Sequence, residues 1–168
     1  MSKPKRGDAV AKTNAMRKLD TAGVEYDVCS YEIEDEMSAG LGVRMAQQTG
    51  HDVDYTFKTL VCRTPAGSFV VFCLPVARQL DLKKAARAAG AKAVSMVAVR
   101  DITAATGYVR GGCSPVGMKR DYPTFIDETA RLHERIYVSG GHVGVSLHLS
   151  PEDLARVTGA SFVDLLAE

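Results

Sequence analysis

Apolar residues recur along this chain with two different periods, and the switches between them mark its elements. Ala15, Met16, Leu19 and Ala22 share one face of a stretch from Thr13 to Ala22, which predicts an amphipathic helix stopped by Gly23. Tyr26 to Tyr31 alternates and predicts a strand. Ser38 can cap a second helix running to about Thr49 and closed by Gly50, although Gly40 and Gly42 weaken its first turn. Lys58 to Thr64 and Ser68 to Val76 flank Pro65-Ala66-Gly67 and read as a hairpin. The second arm, SFVVFCLPV, is apolar without alternation, so it is expected to be buried on both faces and central in its sheet.

Asp81 caps the clearest helix, with Leu82, Ala85, Ala86 and Ala89 inward, Lys83, Lys84 and Arg87 outward, and Gly90 at its end. A short strand at Val94 to Val99 and a short helix at Asp101 to Thr106 follow. Thr124 to Asp127, Arg131 to Val138 and Val143 to Leu149 read as successive strands, mostly antiparallel because their connections are short. In the last, Val143, Val145, Leu147 and Leu149 face one way and His142, Gly144, Ser146 and His148 the other. Ser150-Pro151-Glu152-Asp153 is a capping box that opens a helix to Thr158, stopped by Gly159, and Ser161 to Leu165 closes as a strand. The fold class expected is α/β (α+β): one domain over residues 1–168, a mixed, mostly antiparallel, barrel-like sheet core flanked by helices, with disorder confined to the first few residues.

Composition narrows the class. A chain of 168 residues, 46% hydrophobic and 24% charged, is ordinary globular material able to bury about 70% of its unfolded surface without staples. No apolar run approaches ~20 residues, and the basic start has no apolar stretch behind it, so neither a membrane span nor a signal peptide is expected. Cysteines 29, 62, 73 and 113 form no C-x-x-C and no zinc-type pair, which points to a reduced, cytoplasmic chain. The net charge of +1 says little, but its distribution is uneven: Lys83, Lys84, Arg87 and Lys92 surround one helix, and Lys119-Arg120 follow a glycine stretch. If folding gathers such sets on one side, a phosphate backbone could be held there; otherwise they are solvated lysines on several faces.

Candidate chemistry begins with absences. H-E-x-x-H, G-x-S-x-G, the Walker loop and G-x-G-x-x-G are all missing, and His142 and His148, six strand residues apart, would stand about 20 Å from each other, too far to share a metal. No metal and no cofactor is expected. Gly107 to Lys119, GYVRGGCSPVGMK, holds Gly111-Gly112, where exposed N–H donors suit a phosphate or a developing oxyanion, or where the chain simply turns. Cys113 beside them is a nucleophile candidate without a neighbouring histidine, or a small packed hydrophobe. Lys58, entering an interior strand, either snorkels at a sheet end or projects into a cavity as a fixed charge.

Six strings together carry a resemblance: LysThrAsnAlaMet at 12–16, PheLysThrLeu at 57–60, LeuAspLeuLysLysAlaAla at 80–86, ThrGlyTyrValArgGlyGlyCysSerProValGlyMetLys at 106–119, ProThrPheIleAsp at 123–127 and ValSerGlyGly at 138–141. In this order they resemble the YbaK family of freestanding aminoacyl-tRNA deacylases, across nearly the whole chain. The resemblance implies a cytoplasmic trans-editing enzyme that removes cysteine mischarged on proline tRNA, related to the editing domain inserted in bacterial prolyl-tRNA synthetases, with that synthetase as a partner. It implies an essential lysine at Lys58, with catalytic amides at Gly111 and Gly112. A substrate pocket is implied at Tyr31, Leu41, Thr59, Ser139, Gly140 and Gly141. Leu41 stands where some members carry an aromatic residue, and His142 where Lys or Arg is common.

The family chemistry implies that the substrate's own thiol attacks its ester, with Lys58 and the Gly111-Gly112 amides stabilising charge. Attack by water is the rival. Cys-tRNA(Cys), Ala-tRNA or another small aminoacyl ester are alternative substrates, and a non-catalytic module binding tRNA ends or a synthetase is the alternative of another class.

Overall fold

The computed structural model describes residues 5–6, 11–30 and 53–168, and its strands form two sheets. One runs β1 (Lys5–Arg6), β2 (Asp27–Ser30), β8 (Val145–Leu149), β7 (Ile136–Ser139), antiparallel throughout. The other runs β5 (Ser95–Met96), β3 (Phe57–Arg63), β4 (Phe69–Pro75), β6 (Thr124–Asp127), β9 (Ser161–Val163). Here β3 pairs antiparallel with β4 and β5, whereas β4, β6 and β9 are parallel. The antiparallel expectation fails for β6 because the 3-10 turn Glu128–Leu132 carries the chain out of this sheet into the other; Arg131 to Val138 is therefore no single strand. Asp127, fully buried, holds that exit: its carboxylate accepts from Leu165 N at 2.9 Å and from Thr129 N and Oγ1 at 3.1 and 2.5 Å.

The sheets meet at one edge. A parallel bridge joins Thr56 to Tyr137, and β3 runs on beside β7. The barrel-like expectation thus reduces to two joined sheets, with no closed barrel among the described residues.

Side-chain alternation then divides the molecule. Inward lie Phe57, Cys73, Ile126, Ile136, Val138, Leu147 and Leu149, packed with Ala15, Met16 and Leu19 of α1 (Asn14–Thr21) and Leu154 of the carboxy-terminal helix Pro151–Thr158. Outward from β3 and β4 lie Cys62, Val70 and Phe72, covered by Ala85 and Ala86 of α2 (Leu82–Ala89). With apolar layers on both faces, β4 is buried along nearly its whole length, as its unalternating composition predicts.

Helix ends follow their caps. Thr13 Oγ1 accepts from Met16 N, Asp81 from Lys83 N and Lys84 N, and Ser150 from Asp153 N. Leu82, expected inward, is 47% exposed, whereas Ala85 and Ala86 are buried and Ala89 packs against the same cluster. The following strand is only Ser95–Met96, and α3 (Val99–Thr106) starts two residues before the expected Asp101. Val143 and His142 lie in a turn ahead of β8, closed by Val145 N donating to His142 O at 3.0 Å, so His142 does not share a strand face with His148. The helix expected from Ser38 to Thr49 falls outside the described residues.

Candidate functional site

Lys58 is the second residue of β3, directly after Phe57, whose ring is 3% exposed in the inner core. Alternation therefore turns Lys58 to the outer face. On β7, Ile136 and Val138 are the inward pair, which leaves Tyr137 and Ser139 outward. Continuing the Thr56–Tyr137 register by two residues sets Lys58 alongside Ser139 on that outer face. Lys58 is half-buried and has no ion pair among the described residues; burial alone lowers its pKa from the ordinary 10.5. Such an ammonium has lost water and gains no carboxylate among the described residues, so it can interact with an arriving anion.

Thr59 does not join it. Its hydroxyl lies 3.9 Å from Cys73 Sγ on the inner side, so the consecutive pair Lys58-Thr59 is split across the sheet.

Ser139 opens a turn held by three parts of the chain. Its Oγ accepts from Gly141 N at 3.5 Å, and Thr13 Oγ1 donates to Gly140 O at 2.6 Å. Gly141 has φ +94°, and a Cβ there would lie 2.9 Å from the Tyr108 ring. Tyr108 belongs to the glycine stretch; its hydroxyl donates to Val116 O at 2.7 Å, and burial raises its pKa to about 12. Further along the turn, a Cβ at Gly112 would lie 2.9 Å from Val143 N and 3.0 Å from His142 C. The glycine stretch thus closes over the turn after β7, Tyr108 against Gly141 and Gly112 against His142-Val143, while Lys58 approaches the start of that turn through the β3–β7 register.

One expectation narrows. Gly112 N–H donates to Val109 O at 3.0 Å, closing a turn, and so is occupied. Gly111 (φ +83°) has no acceptor for its N–H among the described residues and remains the amide able to serve an anion. Cys113 turns inward: burial, partly offset by a hydrogen bond with Thr106, raises its thiol to about 11, and its neighbour Cys73 is raised to about 12. A thiol protonated at neutral pH is a poor nucleophile. Tyr31 and Leu41 lie outside the described residues.

Sequence reasoning missed an aromatic ladder beside Lys58. Tyr137 stacks on His148 with ring centroids 4.1 Å apart and 13° between planes, and on its other side meets Tyr55 at 5.9 Å. Burial and nearby Arg135 lower the His148 pKa, against an opposing pull from Asp27, favouring the neutral ring that stacks. The signal was available in Ile136-Tyr137-Val138-Ser139, whose alternation places Tyr137 and Ser139 on one face.

Comparison with known proteins adds to this geometry. The model of the aminoacyl-tRNA editing domain matches residues 42–157. An Enterococcus faecalis protein provisionally named Cys-tRNA(Pro)/Cys-tRNA(Cys) deacylase EbsC is 40% identical over 157 residues, covering 92% of this chain and 93% of its own. A solved structure provisionally described as a trans-editing enzyme for prolyl tRNA synthetase superposes with TM-score 0.76 at 25% identity, over 95% of this chain and 100% of the other. A hypothetical protein, APE2540, shares the fold with TM-score 0.81 at 21% identity, over 92% of this chain and 100% of that one.

Proposed function

The chain belongs to the aminoacyl-tRNA editing domain family, and from that membership we propose that it removes cysteine from mischarged proline tRNA in trans, with Cys-tRNA(Cys) as a second substrate. The observation that carries the reading is the half-buried Lys58, without an ion pair among the described residues, at the end of β3 whose register with β7 leads to the Ser139 turn.

The substrate is an ester between a cysteinyl carbonyl and a ribose hydroxyl of the terminal adenosine. Its own thiol attacks the carbonyl; the carbon–sulfur bond forms, the carbon–oxygen bond to ribose breaks, and the thiol proton ends on the ribose oxygen. The products are free tRNA and a cyclic thioester, which water then opens to cysteine. In this reading the substrate supplies the nucleophile, in keeping with burial pushing the Cys113 thiol up to about 11. It supplies charge stabilisation: the Gly111 amide at the developing oxyanion, worth about 3 kcal/mol or roughly 10²-fold, and the Lys58 ammonium at that oxygen or at the terminal phosphate. Proline and alanine carry no thiol and are spared, a discrimination that a one-methylene difference in fit, worth about 1–3 kcal/mol, could not reach.

Two further elements belong to the reading. Prolyl-tRNA synthetase is the proposed source of tRNA selectivity, supported by the description of the structural relative above. The proposed compartment is the cytoplasm, supported by cysteines that form no disulfide among the described residues; no helix among those residues is long and apolar enough to cross a membrane.

Cys-, Ser-, Ala- and Pro-tRNA incubated with wild type and Lys58→Ala test the proposal. Cys-tRNA alone should be cleaved rapidly, and Lys58→Ala should lose that activity. Equal turnover of Ser-tRNA, nearly isosteric but weakly nucleophilic, would replace thiol attack by water attack, and no deacylation by wild type would leave only a binding module.

A further inference from the structure

At the opposite end of β3 from Lys58, the β3–β4 hairpin, the end of α2 and the segment after the glycine stretch enclose a cleft of about 990 Å³. Arg63, Lys92, Lys119 and Arg120 line it, drawn from three separate regions of the chain, and all four are exposed. None makes an ion pair among the described residues, and Asp101 is the one carboxylate in the lining. Elsewhere several basic groups are tied down: Lys12 to Asp20, Lys84 to Asp164 at 2.9 Å, Arg135 to Asp27 at 3.1 Å and Arg156 to Asp153 at 3.3 Å. The four cations of the cleft, without ion pairs among the described residues, therefore sit together in a concavity, where a polyanion gains most.

The lining also carries aromatic rings. Phe69 and Tyr122 meet edge to face with centroids 5.5 Å apart, the Arg63 guanidinium lies 5.1 Å from the Phe69 ring centre, and the Tyr122 hydroxyl is anchored to Ala105 O at 2.6 Å. Cations that track a backbone, interleaved with rings on which bases stack, are the combination that holds single-stranded nucleic acid. Arg63 is five residues from Lys58 along β3, about 16 Å at ~3.3 Å per residue, a length that a few unpaired nucleotides cover, and the odd spacing turns the two side chains to opposite faces of the strand, so the RNA strand reaches both ends by passing around β3 rather than along one face.

We propose that this cleft binds the phosphates of the unpaired 3′ strand of tRNA a few nucleotides back from the ester, so that β3 carries the ester site at its start and the strand clamp at its end. The inference rests on the deacylase reading of Lys58. The clamp is sequence-tolerant: it grips backbone and base faces, leaving choice of amino acid to the chemistry at the other end.

The test uses two uncharged acceptor-stem RNA minihelices, one with its unpaired 3′ nucleotides and one trimmed to a blunt end, titrated against the full chain by fluorescence anisotropy over a salt series. Arg63→Gln/Lys92→Gln and Lys119→Gln/Arg120→Gln should each weaken binding of the overhanging RNA several-fold. The slope of log affinity against log salt should fall by about 0.7 for each lost phosphate contact. With charged tRNA the same variants should raise KM. The trimmed RNA should bind wild type and variants alike, and Lys83→Gln, an exposed charge outside the cleft, should behave as wild type.

Folded variants, verified by thermal melt, that bind the overhanging RNA with the wild-type slope overturn the proposal. So does equal weakening with the trimmed RNA, which would assign the cleft to the duplex. If binding depends on the cleft but wild type deacylates nothing, the clamp stands and the catalytic reading falls. If deacylation is robust and the cleft variants keep the wild-type KM, the clamp alone falls.

Discussion

Gly112 and Val143 are packed backbone to backbone: a methyl group on the Gly112 α-carbon would sit 2.9 Å from the Val143 nitrogen, closer than real side-chain carbons approach. This contact presses the glycine stretch onto the turn that follows Ser139. The neighbour is backbone in a tight turn, so it cannot swing aside as a side-chain tip would. Gly112→Ala is expected to cost about 1–3 kcal/mol, the range for overpacking, and to lower deacylation by displacing Gly111. Denaturant melts and Cys-tRNA turnover check both parts; wild-type stability and activity in the Gly112→Ala variant would mean that this contact positions nothing.

A second outcome concerns pH. Burial holds the Lys58 pKa below 10.5, so between the lowered value and 10.5 the folded state binds fewer protons than the unfolded one. Stability from this residue therefore rises with pH across that window, and below it the desolvation penalty is fully present. Lys58→Met should raise stability at neutral pH and flatten the alkaline part of the curve while abolishing turnover. Urea melts from pH 7 to 10.5 read this directly, and a Met variant less stable than wild type at pH 7 would show that the ammonium is better solvated than its burial suggests.

How much of this was legible beforehand depends on range. The hairpin at Pro65-Ala66-Gly67, the caps at Thr13, Asp81 and Ser150, and the central place of SFVVFCLPV all rest on local chemistry, and the structure has them. Partners distant in the chain were not legible: β6 lies parallel between β4 and β9 because a turn at Asp127 sends the chain to another sheet, and spacing carries no trace of that choice. The site divides the same way. Ser139, Gly140, Gly141 and Gly112 stand in the marked strings, and Gly112 packs on His142 and Val143, the residues just after that turn. Lys58 and Thr59, adjacent in the string, leave opposite faces of the strand, and Gly112, expected with Gly111 to offer an N–H donor, uses its amide to close a turn.

Cys113 offers a sharper check on mechanism. With its thiol raised to about 11, it carries no appreciable thiolate at neutral pH. Cys113→Ala should keep deacylation within about threefold of wild type, whereas loss of an enzymic nucleophile costs several orders of magnitude. Mass spectrometry during turnover should find no acyl group on the protein; a cysteinyl adduct at Cys113 would move the chemistry from the substrate's sulfur to the enzyme's.

Thr13 serves two structures with one hydroxyl. Its oxygen accepts from Met16 N at 3.2 Å, capping α1, and its proton goes to Gly140 O at 2.6 Å, fixing the turn that starts from Ser139. Thr13→Ala removes both at once, with an expected loss of about 1–2 kcal/mol from the cap and the orphaned Gly140 carbonyl. Thr13→Val keeps the shape without the hydroxyl and should destabilise similarly, while Thr13→Ser restores both hydrogen bonds and should return stability to near wild type. Activity separates the two roles. A cap alone would lower melting temperature and leave the turnover of the folded enzyme untouched. A hydroxyl that also holds the Ser139–Gly141 turn against Lys58 should lower kcat in the Ala and Val variants well below their own melting transitions, with Ser restoring it. Normal kcat in folded Thr13→Ala would detach that turn from the reacting centre.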